Sequence, residues 1–168
     1  MSKLMLVDVG GCIGCEVCEK VCEFVNSHAR VNIYSTSDGI LVPLTCVHCT
    51  NPVCVRVCPT GALYKDGDGA VLVREYRCIG CKLCAIACPF GAIDIDPVKG
   101  IIRKCDLCAE RRRQGLVPAC VETCPSGVVF YGEYEEVTRK PKRKAIELLR
   151  QMKVLSSEED KESNTQGR

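Results

Sequence analysis

Cys78-Ile79-Gly80-Cys81-Lys82-Leu83-Cys84-Ala85-Ile86-Ala87-Cys88-Pro89 sets four thiols at the spacing C-x2-C-x2-C-x3-C and closes on proline. Working outward, the same intervals recur at Cys12, Cys15, Cys18 and Cys22. Two looser quartets stand at Cys46, Cys49, Cys54, Cys58 and at Cys105, Cys108, Cys120, Cys124. These four groups use all sixteen cysteines, so the quartet is the internal repeat of the 168-residue chain. Three quartets run on as Cys-Pro-x-Gly, at Cys58-Pro59-Thr60-Gly61, Cys88-Pro89-Phe90-Gly91 and Cys124-Pro125-Ser126-Gly127, and each enters a β-prone segment. Turn residues Asp66-Gly67-Asp68-Gly69 predict a hairpin of 62–65 with 70–73, and Pro97-Val98-Lys99-Gly100 one of 92–96 with 101–104. Ser37-Asp38-Gly39 predicts a third, 31–35 with 40–44. The last cysteines of each group suit a short helix, so the unit reads as cysteine loop, helical turn and hairpin, an α+β plan.

Cysteine at about a tenth of a chain means either a disulfide scaffold or a metal protein. Met1 to Asp8 is a short apolar stretch with strand character, without a twin-arginine pair, a long apolar signal core or a cleavage site. No run approaches the roughly 18 apolar residues of a membrane span. The expected compartment is therefore the cytoplasm, without membrane insertion, and there reduced thiols serve as metal ligands rather than bridges. With no Trp, three Phe and five Tyr, the chain lacks the usual large core fillers, and something other than side chains is expected inside.

The group-three run matches the bacterial ferredoxin pattern C-x2-C-x2-C-x3-C-P for [4Fe-4S] clusters. Steps of two intervening residues let one loop offer three thiolates to three corners of a cube, while the fourth cysteine reaches a neighbouring cluster. Gly14 and Gly80 stand where such a loop needs positive φ or close backbone approach. Pro59, Pro89 and Pro125 end the helical turns. Zinc is the competing reading, since C-x2-C knuckles also build zinc sites, but a triplet at this spacing does not divide into two pairs. Sixteen thiolates and four oxidised cubane cores move the formal charge of +2 to roughly −6, which removes the electrostatic case for nucleic acid.

Group two, Cys46-Val47-His48-Cys49-Thr50-Asn51-Pro52-Val53-Cys54-Val55-Arg56-Val57-Cys58-Pro59-Thr60-Gly61-Ala62, resembles the run C-x-H-C-x-x-P-x-C-x-x-x-C-P-T-G-A. That run marks the four-cluster iron-sulfur subunits of molybdenum and tungsten oxidoreductases. The family includes the subunits of dimethyl sulfoxide reductase, formate dehydrogenase, formate hydrogenlyase, carbon monoxide dehydrogenase and tungsten aldehyde oxidoreductase, and the resemblance covers residues 12 to about 130. It implies crossed ligand sets: Cys46, Cys49, Cys54 with Cys88; Cys78, Cys81, Cys84 with Cys58; Cys12, Cys15, Cys18 with Cys124; and Cys105, Cys108, Cys120 with Cys22. With cysteine at all sixteen positions, none of the sets resembles the three-iron variant. The implied architecture is two pseudo-symmetric ferredoxin-like modules, each with two [4Fe-4S] clusters, over residues 1–135. A C-terminal helix over 136–155, from the spacing of Ala145, Leu148, Leu149 and Met152, and a disordered tail over 156–168 follow. Two departures stand out: Cys22 is followed by Glu23 rather than proline, and eleven residues separate Cys108 from Cys120.

His48 is expected to hydrogen-bond near a cluster rather than ligate it, and His28 to be a plain surface histidine. Arg77, Lys82 and Lys104 lie beside cysteines, either raising a cluster's potential or merely solvated. Arg111-Arg112-Arg113 reads as a solvated helix face, and the basic run 139–144 as a solvated helix start or a contact to a catalytic partner. No phosphate loop, dinucleotide fingerprint or Ser/His/Asp arrangement offers a catalytic site. The expected role is a non-catalytic electron-transfer subunit. It would serve a tungsten or molybdenum pterin enzyme oxidising aldehydes or formate, with soluble ferredoxin or another subunit as the second partner. The alternatives are a free-standing polyferredoxin shuttle and the electron-carrier subunit of a hydrogenase or carbon monoxide dehydrogenase complex.

Overall fold

The structure is a computed structural model that describes residues 3–133, 135–137 and 139. Its strands form four separate antiparallel pairs, and the helices lie between them. Three pairs are the expected hairpins: β2 (Val31–Ser35) with β3 (Leu41–Thr45), β4 (Leu63–Lys65) with β5 (Val71–Val73), and β6 (Asp94–Ile95) with β7 (Ile102–Arg103). The fourth joins the two ends of the described chain, β1 (Lys3–Val7) with β8 (Val129–Glu133), in the register Met5 opposite Tyr131.

Five helices carry the cysteine groups: α1 (Val17–Asn26), α2 (Val53–Arg56), α3 (Leu83–Ile86), α4 (Ala109–Arg113) and α5 (Ala119–Glu122). Helices α2, α3 and α5 are single turns that stop short of Cys58-Pro59, Cys88-Pro89 and Cys124-Pro125, where proline cannot continue the hydrogen-bond ladder. Group one lacks that proline, and α1 runs ten residues, past Cys22 to Asn26. Helix α1 packs on α5, and α2 on α3.

Two hydrophobic clusters result. One gathers Met5, Val31, Ala70, Leu107, Val128 and Val129 with Cys18, Cys22, Cys46, Cys105 and Cys120, so it reaches across from the first and fourth cysteine groups to the second; the other gathers Leu63, Val71, Ile93 and Ile102 with Cys84. Cysteine thus fills interior that large aromatic residues fill in most proteins of this size. The arginine triplet departs from the solvated face expected of it. Arg113 is exposed, but the Arg112 side chain is buried, donating to Asp66 at 2.9 Å, Asp68 at 2.7 Å and the Leu107 carbonyl at 3.1 Å. It ties α4 to the β4–β5 turn, and a buried guanidinium needs such partners.

Residues 135–137 and 139 are helical, and Arg139 pairs with Glu135 at 3.9 Å. The remainder of the expected C-terminal helix, the rest of the basic run and the tail expected over 156–168 lie outside the described residues.

Gly14 and Gly80 both have positive φ, +65° and +66°. A methyl at Gly80 meets the Gly100 backbone oxygen at 2.3 Å, whereas one at Gly14 meets the movable Leu41 Cδ1 at 1.9 Å. Both alanine variants carry the left-handed penalty of about 1–2 kcal/mol, and only Gly80→Ala adds a backbone collision. Thermal unfolding of the anaerobic protein should therefore show the larger loss for Gly80→Ala; a larger loss for Gly14→Ala contradicts this account.

Candidate metal centres

In each cysteine group the residue two past the first cysteine has left-handed backbone: Gly14 at φ +65°, His48 at +51°, Gly80 at +66° and Leu107 at +56°. A left-handed residue in such a loop turns nearby N–H groups toward a shared concavity, which suits an anion, and in group four Cys108 at φ +48° is left-handed as well. Glycine adopts this freely; His48 and Leu107 adopt it against their Cβ, and both are almost fully buried. Residues Val9–Gly11 and Glu75–Arg77 form matching 3-10 turns just before Cys12 and Cys78, so groups one and three enter their loops alike.

The loops bring thiols together across groups. One cavity is lined by Cys58, Cys78, Cys81 and Cys84. Another is lined by Cys22, Cys105, Cys108 and Cys120. Burial pushes the Cys18 thiol up to about 11, and crowding by Cys124, Cys15 and Cys12 adds to it. Burial also raises Cys49 and Cys54, both crowded by Cys46 and Cys88. Burial lifts Cys84 to about 11 and Cys105 to about 12, and raises Cys120 strongly, with Cys105, Cys108 and Cys22 pushing the same way. These are thiols that an apolar interior holds protonated unless a cation takes the proton's place.

Hydrogen bonds already point at several sulfurs. At Cys58 burial acts upward, but the N–H groups of Leu63, Thr60 and Ala62 and the Thr60 hydroxyl at 3.7 Å outweigh it and bring the thiol below its usual value. Cys124 repeats this with the Ser126 hydroxyl at 3.6 Å and the N–H groups of Val128, Val129 and Gly127. Cys22 has no Cys-Pro turn after it. Instead the Arg30 N–H donates to its sulfur at 3.3 Å and the Asn26 amide at 3.5 Å, both reached because α1 runs on. Leu107 N–H donates to Cys105 at 3.3 Å.

His48 is 2 % exposed. Its Nδ1 accepts the Val71 N–H at 2.9 Å, so the ring proton sits on Nε2, which is buried without a hydrogen-bond partner in the protein. Burial, then the nearby Lys104, pushes the imidazole down to about 2 and keeps it neutral. An unpaired N–H inside a cysteine loop matches a sulfur acceptor. His28 is partly buried rather than plainly exposed, its Nε2 accepting from Arg30 Nε at 3.3 Å. Of the three flanking cations, Lys82 is exposed, whereas Lys104 is 5 % exposed, which removes the solvated reading for it.

Among the described residues no three cysteine, histidine or carboxylate side chains converge closely enough for a single metal ion. The donor set of four thiols around a wider space, with N–H groups aimed at sulfur, fits an all-thiolate cluster instead.

Residues 37–134 match the family model of the 4Fe-4S dicluster domain, and residues 10–25 that of a 4Fe-4S binding domain. The protein is 35% identical over 153 residues to one of the polypeptides of the anaerobic dimethyl sulfoxide reductase of Escherichia coli K12, covering 80% of this chain and 75% of that one. It is 39% identical over 147 residues to the thiosulfate reductase electron transfer subunit of Salmonella typhi, covering 79% and 77%. A sulfite dehydrogenase subunit of Allochromatium vinosum is 31% identical over 170 residues, with 81% and 71% covered.

Replacing His48 by leucine strands the buried Val71 N–H, a loss of about 1–3 kcal/mol, whereas His28→Ala should stay within about 0.5 kcal/mol. Urea unfolding of the two variants tests the difference, and equal stabilities would remove the structural role given to His48.

Proposed function

The chain belongs to the 4Fe-4S dicluster family, and from that premise we propose that it passes single electrons between a molybdenum or tungsten pterin catalytic subunit and a ferredoxin or second redox subunit. Like the relatives it matches, it is an iron-sulfur electron-transfer subunit and not the catalyst, and it carries four [4Fe-4S] clusters. The clusters supply the one-electron chemistry. The chain supplies thiolates, N–H donors and a water-poor surrounding.

In this reading Cys46, Cys49, Cys54 and Cys88 hold one cluster, and Cys78, Cys81, Cys84 and Cys58 its mate. Cys12, Cys15, Cys18 and Cys124 hold a third, and Cys105, Cys108, Cys120 and Cys22 the fourth. The two modules then share residues 1–135, with the helix over 136–155 and the tail over 156–168 as appendages. The observation that carries the reading is the pair of four-thiol cavities in which Cys58 and Cys22 each join three cysteines of another group. The packing of α1 on α5 and of α2 on α3 supports the division into modules.

The relatives are named for dimethyl sulfoxide, thiosulfate and sulfite, which favours a catalytic partner acting on sulfur compounds over one oxidising aldehydes or formate. No helix among the described residues is long and apolar enough to cross a membrane. The cytoplasm is the compartment proposed, from the reduced state that sixteen thiol ligands require during loading.

Anaerobically purified protein should contain about sixteen iron and sixteen acid-labile sulfide per chain and should bring down a large pterin-containing subunit. Cys58→Ser should alter the low-temperature EPR signal that Cys81→Ser alters, not the one that Cys49→Ser alters. If Cys58 and Cys49 proved to govern one signal, the crossed assignment would fall.

A further inference from the structure

Among the described residues Lys104 and the side chain of Arg112 are drawn into the interior, and they are treated differently. Arg112 meets two carboxylates, Asp66 and Asp68. Lys104 meets none among the described residues: its ammonium donates to the Val71 carbonyl at 2.5 Å and to the Cys105 carbonyl at 2.6 Å. Opposite Lys65, Val71 sits at a non-hydrogen-bonded position of the β4–β5 ladder, so its N–H and C=O both face away from β4. The N–H goes to His48 and the C=O to Lys104, so three residues distant in sequence form one chain, His48–Val71–Lys104.

A buried ammonium held only by carbonyls is expensive, and the expense is offset where negative charge lies close by. Lys104 directly precedes Cys105 in sequence, and through Val71 it is linked to the loop of Cys46 and Cys49. Its ammonium thus lies against the Cys105 carbonyl of one loop and, through Val71 and the buried His48, against the loop that carries Cys46 and Cys49.

We propose that Lys104 is a fixed positive charge set between two of the four thiol rings, that of Cys46, Cys49, Cys54 and Cys88 and that of Cys22, Cys105, Cys108 and Cys120. It makes an arriving electron more stable in those rings than in the other two. The inference rests on the ring assignment proposed above. Each electron would be taken by the cluster that a ring holds and given up by the cluster or partner that passes it on, with no bond made or broken, and the net charge within the ring would become more negative by one beside the ammonium. Lys104 is a tuning residue that touches no substrate, so its signature is a potential.

The full-length, cluster-loaded chain is titrated potentiometrically with EPR detection as wild type, Lys104→Met and Lys104→Arg. In Lys104→Met two of the four reduction steps should move down, each by tenfold or more in the reduced-to-oxidised ratio, about 59 mV for a one-electron couple. They should be the steps that Cys49→Ser and Cys108→Ser alter. The steps tied to Cys15→Ser and Cys81→Ser should hold, and Lys104→Arg should keep wild-type potentials. A uniform shift of all four steps, no shift, or an equal shift in Lys104→Arg overturns the proposal and leaves the ring assignment standing. If Cys49→Ser and Cys54→Ser alter different steps, the ring assignment fails and the proposal with it. Should Lys104→Met not retain its iron, Lys104→Gln, which keeps an N–H donor without the charge, takes its place with the same outcomes.

Discussion

Sixteen thiols must be brought into groups of four while the backbone around them curls inward, and the rest of the molecule is arranged about that requirement. Each of the four loops meets it with a left-handed residue at the same place, two past the first cysteine. The helices are short because the chain must leave each ring promptly, and among the described residues the strands meet only in pairs. Much of the interior is sulfur, so the fold and its inorganic content are one energetic unit, as in other small metal-dependent domains.

The sequence made the periodic part of this legible. Turn residues such as Asp66-Gly67 and Ser37-Asp38-Gly39 announced three hairpins, and Cys-Pro pairs announced where three helices stop. Gly14 and Gly80 marked two of the four loop reversals by residue type. The other two are made by His48 and Leu107, residues that carry no local sign of positive φ, because tertiary burial and not intrinsic preference holds them there.

Long-range partners were also beyond local reading. The strand character of the N-terminal segment was visible, but nothing near Met5 names Tyr131 as its opposite. Arg112 looks in sequence like its neighbours Arg111 and Arg113, and only the approach of the β4–β5 turn distinguishes it. Lys104 shows the same gap between chemistry and place: its position beside Cys105 raised two readings, and burial with two carbonyl partners removes the solvated one. For group one the missing proline was plain, while its compensation at Asn26 and Arg30 depended on the extra turn of α1.

The pairing of β1 with β8 fixes a timetable for biosynthesis. Lys3 finds its opposite only at Glu133, so the ribosome must deliver nearly all of the described chain before the first strand has a partner. The hairpins and helices between residues 46 and 103 contact one another over much shorter separations and are complete earlier. Until the last strand emerges, the nascent N-terminal thiols wait without Cys124, whose sulfur crowds Cys18 in the folded chain.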